Sequence, residues 1–314
     1  MSEFLDPFER MLEALSPPVT VRAIEAGEPG DTLWNGVAES GFLDALVSEE
    51  RGGAGLPLAE VGALWQALGR HAAPLPVGET MIARALLADA PDGPIALATA
   101  SAGGEVVVPF GRVADHVLIE KDGRLYLVVA DGAPTGVFGS TALRLNPALG
   151  EPVAGAPAGG LRAIAAILRA ALIAGAADRL TTMTTAYANE RVQFGKPVGK
   201  QQALQQQMAV MAEDMVACRI AAQLGCAGGL PPSLVAVATA KSVTSAAAAR
   251  LAATAHAVHG AIGISEEYDL QLYTRRLHEW RMADGSETYW NRLLGAARLE
   301  DAGRSVDFLR EQFR

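Results

Sequence analysis

A chain of 314 residues, half of them apolar, is long enough to bury a sizeable core, in one large unit or about two to three small ones. Only 5% of residues are aromatic, and abundant Ala, Leu and Val favour a mainly helical protein. A net charge of -9 argues against nucleic-acid binding, which needs concentrated positive surface. Cys218 and Cys226 fall in one predicted helix without a nearby His, and read as structural thiols in a reducing cytoplasm.

The opening Met1-Ser-Glu-Phe-Leu-Asp-Pro is acidic and lacks the basic and apolar regions of a signal peptide. Helical spacing runs from Phe4 to Leu15, and Asp31 is placed to N-cap a helix that Gly41 ends. Glu50-Arg-Gly-Gly-Ala-Gly-Leu56 reads as a glycine-rich loop, followed by helices from Leu58 to His71 and from Gly78 to Ala88. From Ile95 the pattern changes. Short β-branched runs occur at 105–109, 116–119 and 124–129, with a hairpin signal in Lys121-Asp-Gly123. Pro147 to Gly160 reads as a linker.

Long helices then return, over 161–189, 201–226, 234–259 and 269–281, with a last one from Thr288 to the end. Their short connections favour antiparallel neighbours, hence a bundle. The most apolar stretch, Leu161 to Ala177, carries Arg162 and Arg169 and is short for a membrane span, so a soluble, cytoplasmic protein is expected. The expected fold class is α+β, mainly α. A helical region over 1–90 precedes a reduced β middle over 91–150 and an antiparallel four-helix bundle over 151–314.

Two motifs carry the chemistry. Arg191-Val-Gln-Phe-Gly-Lys-Pro-Val198, followed by Gln201-Gln202, lies at the corner between two long helices. An Arg there can pair bidentately with phosphate, and a Gly allows close backbone approach; spacing alone fits an ordinary turn equally well. The second motif starts with His259-Gly-Ala-Ile-Gly-Ile-Ser-Glu-Glu-Tyr268, passes an arginine-bearing helix and ends in Met282-Ala-Asp-Gly-Ser-Glu-Thr-Tyr-Trp290. Asp284 is either a base or a cap for the last helix, with Ser286 a competing cap. His259 reads as a packed helix-end residue, and Arg275, Arg276 and Arg281 as solvated or paired helix charges.

Together these motifs resemble the acyl-CoA dehydrogenase family over essentially the whole chain, most specifically in its C-terminal half. The resemblance implies FAD, bound through Arg191, Gln193, Phe194, Gln202, Gly260, Ser286 and Thr288, in part across a subunit interface. It implies an acyl-CoA thioester beside Gly285 and a carboxylate base at Asp284, where the family carries Glu. An Asp reaches about one bond less, and a displacement of order 1 Å can cost about a hundredfold in rate. Relatives that place the base about 26 residues before the FAD-binding Arg would have it at Ala165, which has no carboxylate. The arginine that some relatives carry beside that position, near CoA, is absent too, and Arg162 or Arg169, one turn away, is the candidate to replace it.

Other departures are plain. The family's cofactor-contacting Gln is Ala257, its second Gly is Ala261, and the Thr-Glu-Pro loop and Trp-Ile-Thr segment that hold the flavin ring have no counterpart after Ala98. Gly52-Gly53-Ala-Gly55 resembles a family loop but reads as a structural turn, since no strand precedes it and no Lys-Ser/Thr follows. The resemblance extends to subunits of the two-component bacterial enzymes of steroid side-chain breakdown. It implies a longer homologous partner in an α2β2 assembly. A homo-oligomer with Asp284 as base and an electron-transferring flavoprotein as acceptor is the second reading, and a non-catalytic scaffold subunit the third.

Overall fold

The computed structural model describes residues 3–100, 104–136, 139–145 and 149–312. Met1, Ser2, Ser101 to Gly103 and Pro147, to which sequence expectations attach, lie outside the described residues.

Five helices open the chain: α1 (Leu5–Leu15), α2 (Pro18–Glu25), α3 (Asp31–Glu39), α4 (Leu58–Arg70) and α5 (Val77–Leu86). Helix α1 buries Phe8 and Leu12, four residues apart on one face. Helix α2 was not legible in the sequence, although Pro18 suits a first turn and Val21 and Ile24 bury at helical spacing. Asp31 corrects an expectation: it is the first helical residue, Gly30 occupies the cap, and no side-chain cap bond forms. The glycine loop after Glu49 is a tight turn. Gly53 sits so close to Val47 that a Cβ would come within 2.3 Å of its carbonyl oxygen.

Seven strands follow: β1 (Ile95–Thr99), β2 (Glu105–Val108), β3 (His116–Lys121), β4 (Arg124–Val129), β5 (Ala133–Pro134), β6 (Thr141–Arg144) and β7 (Ala154–Gly155). They form two sheets, ordered β1-β3-β4-β7 and β2-β6-β5. Strand β1 runs parallel to β3 with Leu97 opposite Leu118. The β3–β4 hairpin turns at Asp122 and Gly123, both with positive φ, as its sequence signal required. Ala96, Val106, Val108, Val117 and Ile119 form the core of this region. Strand β7 pairs with β4 inside the stretch expected to be a linker, so part of that linker is sheet.

The remainder comprises α6 (Gly160–Glu190), the hairpin β8 (Val192–Gln193) and β9 (Lys196–Pro197), α7 (Gln202–Cys226), α8 (Leu234–His259), α9 (Leu270–Met282), α10 (Glu287–Glu300) and α11 (Ser305–Gln312). Helix α6 is the central rod, packed by α4, α7, α8 and α9. It meets α4 closely because Gly69 and Gly175 leave no room even for a methyl group; a Cβ at Gly175 would lie 1.8 Å from the carbonyl oxygen of Gln66. By length and hydropathy α6 could cross a membrane, yet 89% of its most apolar stretch is buried within the protein, as befits a core helix.

The single last helix expected from Thr288 onward is two. The chain breaks after Glu300, where Arg298 donates to the carbonyls of Asp301 and Gly303, and Asp301 accepts from the Gly303 amide. Apolar residues of the first five helices and of the bundle form one continuous core, in which Trp65, Trp280 and Trp290 are the largest fully buried apolar side chains. Mainly helical α+β architecture ending in a bundle is thus what the chain adopts.

Candidate active site

Arg169 lies on α6 with no solvent exposure. A guanidinium inside an apolar core must find anions, since an isolated buried charge is costly. Two carboxylates meet it. Its Nη1 donates to Glu79 Oε1 on α5, and its Nε donates to Asp284 Oδ2 at 3.1 Å, from the turn between α9 and α10. Burial alone would push the Arg169 pKa down, but the charges of Glu79 and Asp284 outweigh it and hold the pKa above its ordinary value. Nη2 of Arg169 has no hydrogen-bond partner among the described residues. The Phe110 ring centre lies 6.0 Å from the guanidinium carbon.

The turn that delivers Asp284 is held by its backbone. Asp284 and Gly285 both have positive φ, 57° and 100°. Asp tolerates that region better than most residues, and Gly occupies it freely. A Cβ at Gly285 would approach Tyr289 to 2.7 Å and Trp290 Nε1 to 2.8 Å, so the position also lacks room for a side chain. Trp290 Nε1 donates to the Asp284 carbonyl at 3.1 Å.

Lys241 completes the clasp from α8. Fully buried, its Nζ donates to the carbonyls of Trp280 (2.8 Å), Arg281 (2.9 Å) and Gly285 (2.9 Å) and to Ser245 Oγ (2.9 Å). A cation there satisfies the last carbonyls of α9 and favours the negative end of its dipole. Burial pushes the ammonium pKa down to about 7, against the opposing pull of Asp284.

Asp284, Gly285, Ser286 and Thr288 are therefore gathered at one end of the bundle. Ser286 is the N-cap of α10 but forms no side-chain cap bond, and Asp284 does not cap that helix either, since its carboxylate goes to Arg169. The other expected cofactor residues lie elsewhere. Arg191, the C-cap of α6, lies 22 positions after Arg169, about 33 Å at the helical rise. There Arg191 ends α6, Gln193 and Phe194 form the β8–β9 hairpin, and Gln202 begins α7, all exposed. Phe194 is 92% exposed with φ 53°, unusual for so large an apolar side chain. Gly260 (φ 60°) joins this end because His259 stacks on Tyr187 at 4.4 Å, and a Cβ there would meet nothing.

His259 is a packed residue, its Nδ1 2.8 Å from the Ala255 carbonyl oxygen, as its sequence position suggested. Arg275 and Arg276 pair with Glu25, and Arg281 with Glu287. Cys218 and Cys226 are buried free thiols, and burial pushes both up to about 12. Ala165 is buried in α6 and offers no carboxylate.

A cavity of about 380 Å³ opens beside this cluster, within the range of small-ligand sites. Its walls include Trp34 and Leu75 from the first helical region, Phe110 and Arg112 from the connection after β2, and Arg276 and Glu279 from α9.

Residues 163–299 match the family model for the acyl-CoA dehydrogenase C-terminal domain. The acyl-CoA dehydrogenase IpdE2 of Mycobacterium tuberculosis is 37% identical over 276 residues, spanning 83% of this chain and 85% of that relative. This chain belongs to the acyl-CoA dehydrogenase family. IpdE2 of Mycolicibacterium smegmatis is 32% identical over 85% of this chain and 89% of its own length. Among solved structures, the ChsE4–ChsE5 complex of Mycobacterium tuberculosis superposes with a TM-score of 0.76 at 23% identity, covering 96% of this chain and 99% of that one. A Tcur3481–Tcur3483 steroid acyl-CoA dehydrogenase variant gives the same TM-score at 24% identity, over 95% and 97%.

Three charged residues of this region were not picked out by sequence: Glu79, Lys241 and Glu279. Each had a weak signal. Lys241 is the one charge in the first half of an Ala-rich helix, and Glu79 sits among uncharged residues in the first turns of α5. A charge at such a position is explained only by a buried partner.

Proposed function

We propose that this chain is one subunit of a flavin-dependent acyl-CoA dehydrogenase that shares its FAD site with a longer homologous subunit, as an α2β2 assembly. The observation that carries the reading is the β8–β9 hairpin. Phe194 is 92% exposed, and Arg191 makes no ion pair among the described residues, so an aromatic and a guanidinium stand ready for a surface outside this chain. Gly195 and Gly260 leave open backbone beside them. Arg191, Gln193, Phe194, Gln202 and Gly260 suit the diphosphate and adenosine end of FAD, while Ser286 and Thr288 lie about 30 Å away and would serve another part. The shortened β region, with only the four-residue β2 and a brief connection before β3, leaves ring contacts to a partner.

When bound, FAD supplies a two-electron acceptor for the β-hydride of a saturated acyl-CoA thioester, and an electron-transferring flavoprotein takes the electrons onward. The chain's own part is to close the thioester away from water and to hold carboxylates near it. A similar solved structure named as a steroid acyl-CoA dehydrogenase supports a bulky ring-bearing or side-chain acyl group over a short one. Expressing the chain alone and with a longer homologue tests this. The expected result is a colourless or poorly soluble single chain and a yellow mixed complex with fewer flavins than chains. A stable, yellow, active homo-oligomer with one FAD per chain would instead favour a self-sufficient enzyme with Asp284 as base. A mixed complex without flavin would favour a scaffold.

A further inference from the structure

The family signature puts the base at Asp284, but in this molecule Asp284 is engaged. Its carboxylate is only 9% exposed and shares Arg169 with Glu79. Five residues earlier, on α9, a different carboxylate faces open space. Glu279 lines the 380 Å³ cavity together with Trp34, Phe110 and Arg276. Among the described residues its side chain makes no hydrogen bond or ion pair.

We infer that Glu279, rather than Asp284, is the residue through which this subunit accepts a proton from its substrate. The inference deepens the proposed function and rests on it. In the reaction the substrate's α-carbon–hydrogen bond breaks and its proton passes to a Glu279 carboxylate oxygen. The freed electron pair would form the α–β double bond, with bound FAD supplying the acceptor for the β-hydrogen and its electron pair.

The surroundings suit the role. Burial pushes the Glu279 pKa up, while Arg169 and Arg276 pull it back and Glu79 and Glu25 add to the rise. A carboxylate made more basic by desolvation, yet kept ionisable by two nearby cations, is what proton abstraction near neutral pH needs. A group held in a costly charged state is also a familiar sign of a functional site. Glu28, Asp31 and Asp115 face the same cavity but are exposed, and Glu25 there is paired with Arg275 and Arg276.

Glu279→Gln, Glu279→Asp and Asp284→Asn in the co-purified complex test the assignment, with a panel of straight-chain and ring-bearing saturated acyl-CoA thioesters as probes. Three readouts are taken: turnover, exchange of the substrate α-hydrogen in D2O followed by NMR, and Tm against pH. Glu279→Gln is expected to keep the subunit ratio, bound flavin and thioester affinity while losing about a hundredfold in turnover and in α-exchange. Glu279→Asp recovers part of both. The Gln variant melts higher than wild type near neutral pH, a shift that owes nothing to flavin.

Turnover and exchange within about threefold of wild type in Glu279→Gln overturn the assignment alone. So does loss of exchange in Asp284→Asn with exchange retained in Glu279→Gln. A wild-type complex that holds no flavin and exchanges no α-hydrogen overturns the family-based reading and the assignment with it, which separates the two failures.

Discussion

Asp284 turns toward Arg169 instead of the N-terminus of α10, and that choice joins three parts of the chain. Glu79, Arg169 and Asp284 come from α5, α6 and the α9–α10 turn, so the cluster pins the first helical region to the bundle at its most buried point. Removing one member leaves a buried charge without its partner. Arg169→Met is therefore expected to destabilise the fold by about 3–5 kcal/mol, measured by denaturant unfolding. Changing Glu79 and Asp284 to Gln and Asn in the same chain should restore part of that loss, and strict additivity of the changes would show that the groups are not coupled. Lys241→Met takes the ammonium donor from the carbonyls of Trp280 and Gly285, leaving that of Arg281 only Ser245 Oγ at 3.3 Å, and should cost about 3 kcal/mol while loosening the 283–286 turn in hydrogen exchange. Unchanged exchange at that turn would contradict its role.

The pH behaviour of Glu279 follows from its sign. Its folded pKa lies above the ordinary 4.5, so between those values the folded chain holds a proton that the unfolded chain has released. Stability from this group is fully present below about pH 4.5 and is lost as pH rises through the folded pKa. Gln cannot ionise, so the Tm advantage of Glu279→Gln should be near zero at about pH 4.5 and grow toward pH 8. A constant offset across that range would mean the side chain is not desolvated.

At the scale of elements, what the sequence disclosed depended on how local the cause was. Helix α4 could be read from its periodicity, α6, α7 and α8 from their long unbroken runs of helix-forming residues, and the β3–β4 hairpin from Asp122-Gly123 because its turn chemistry is local. Helix α2 was hidden by its brevity, and β7 by its composition, since pairing with β4 is decided by tertiary contact rather than propensity. The break between α10 and α11 depends on an Arg298 side chain folding back on two carbonyls, which no periodicity records. In the site, Asp284 and Gly285 stood out by motif, but their partners Glu79 and Lys241 did not, because burial of a charge is visible only once the fold places its counter-ion. Gly285→Ala puts a methyl group against Tyr289 and Trp290 in a backbone region that disfavours it, so a loss of more than about 1 kcal/mol is expected in thermal melts.

For the molecule as a whole, the two groups of family residues are set about 33 Å apart along α6, and only the one around Asp284 is tied into buried ion pairs. The buried end has its own ion pairs and cavity, while the end with Arg191 and Phe194 faces outward. Such an arrangement is what the proposed sharing of a flavin site with a neighbouring subunit requires. Because Phe194 is exposed in the single chain, Phe194→Ala should leave the melting of the isolated subunit within about 0.5 kcal/mol while lowering flavin retention in the assembled protein. The most direct measurement is the flavin-to-chain ratio of the complex purified with a longer homologue, set beside that of this chain alone. Shared sites predict flavin in the mixed complex at fewer than one per chain and essentially none in the chain alone; one tightly held flavin per chain in the isolated protein would contradict the account.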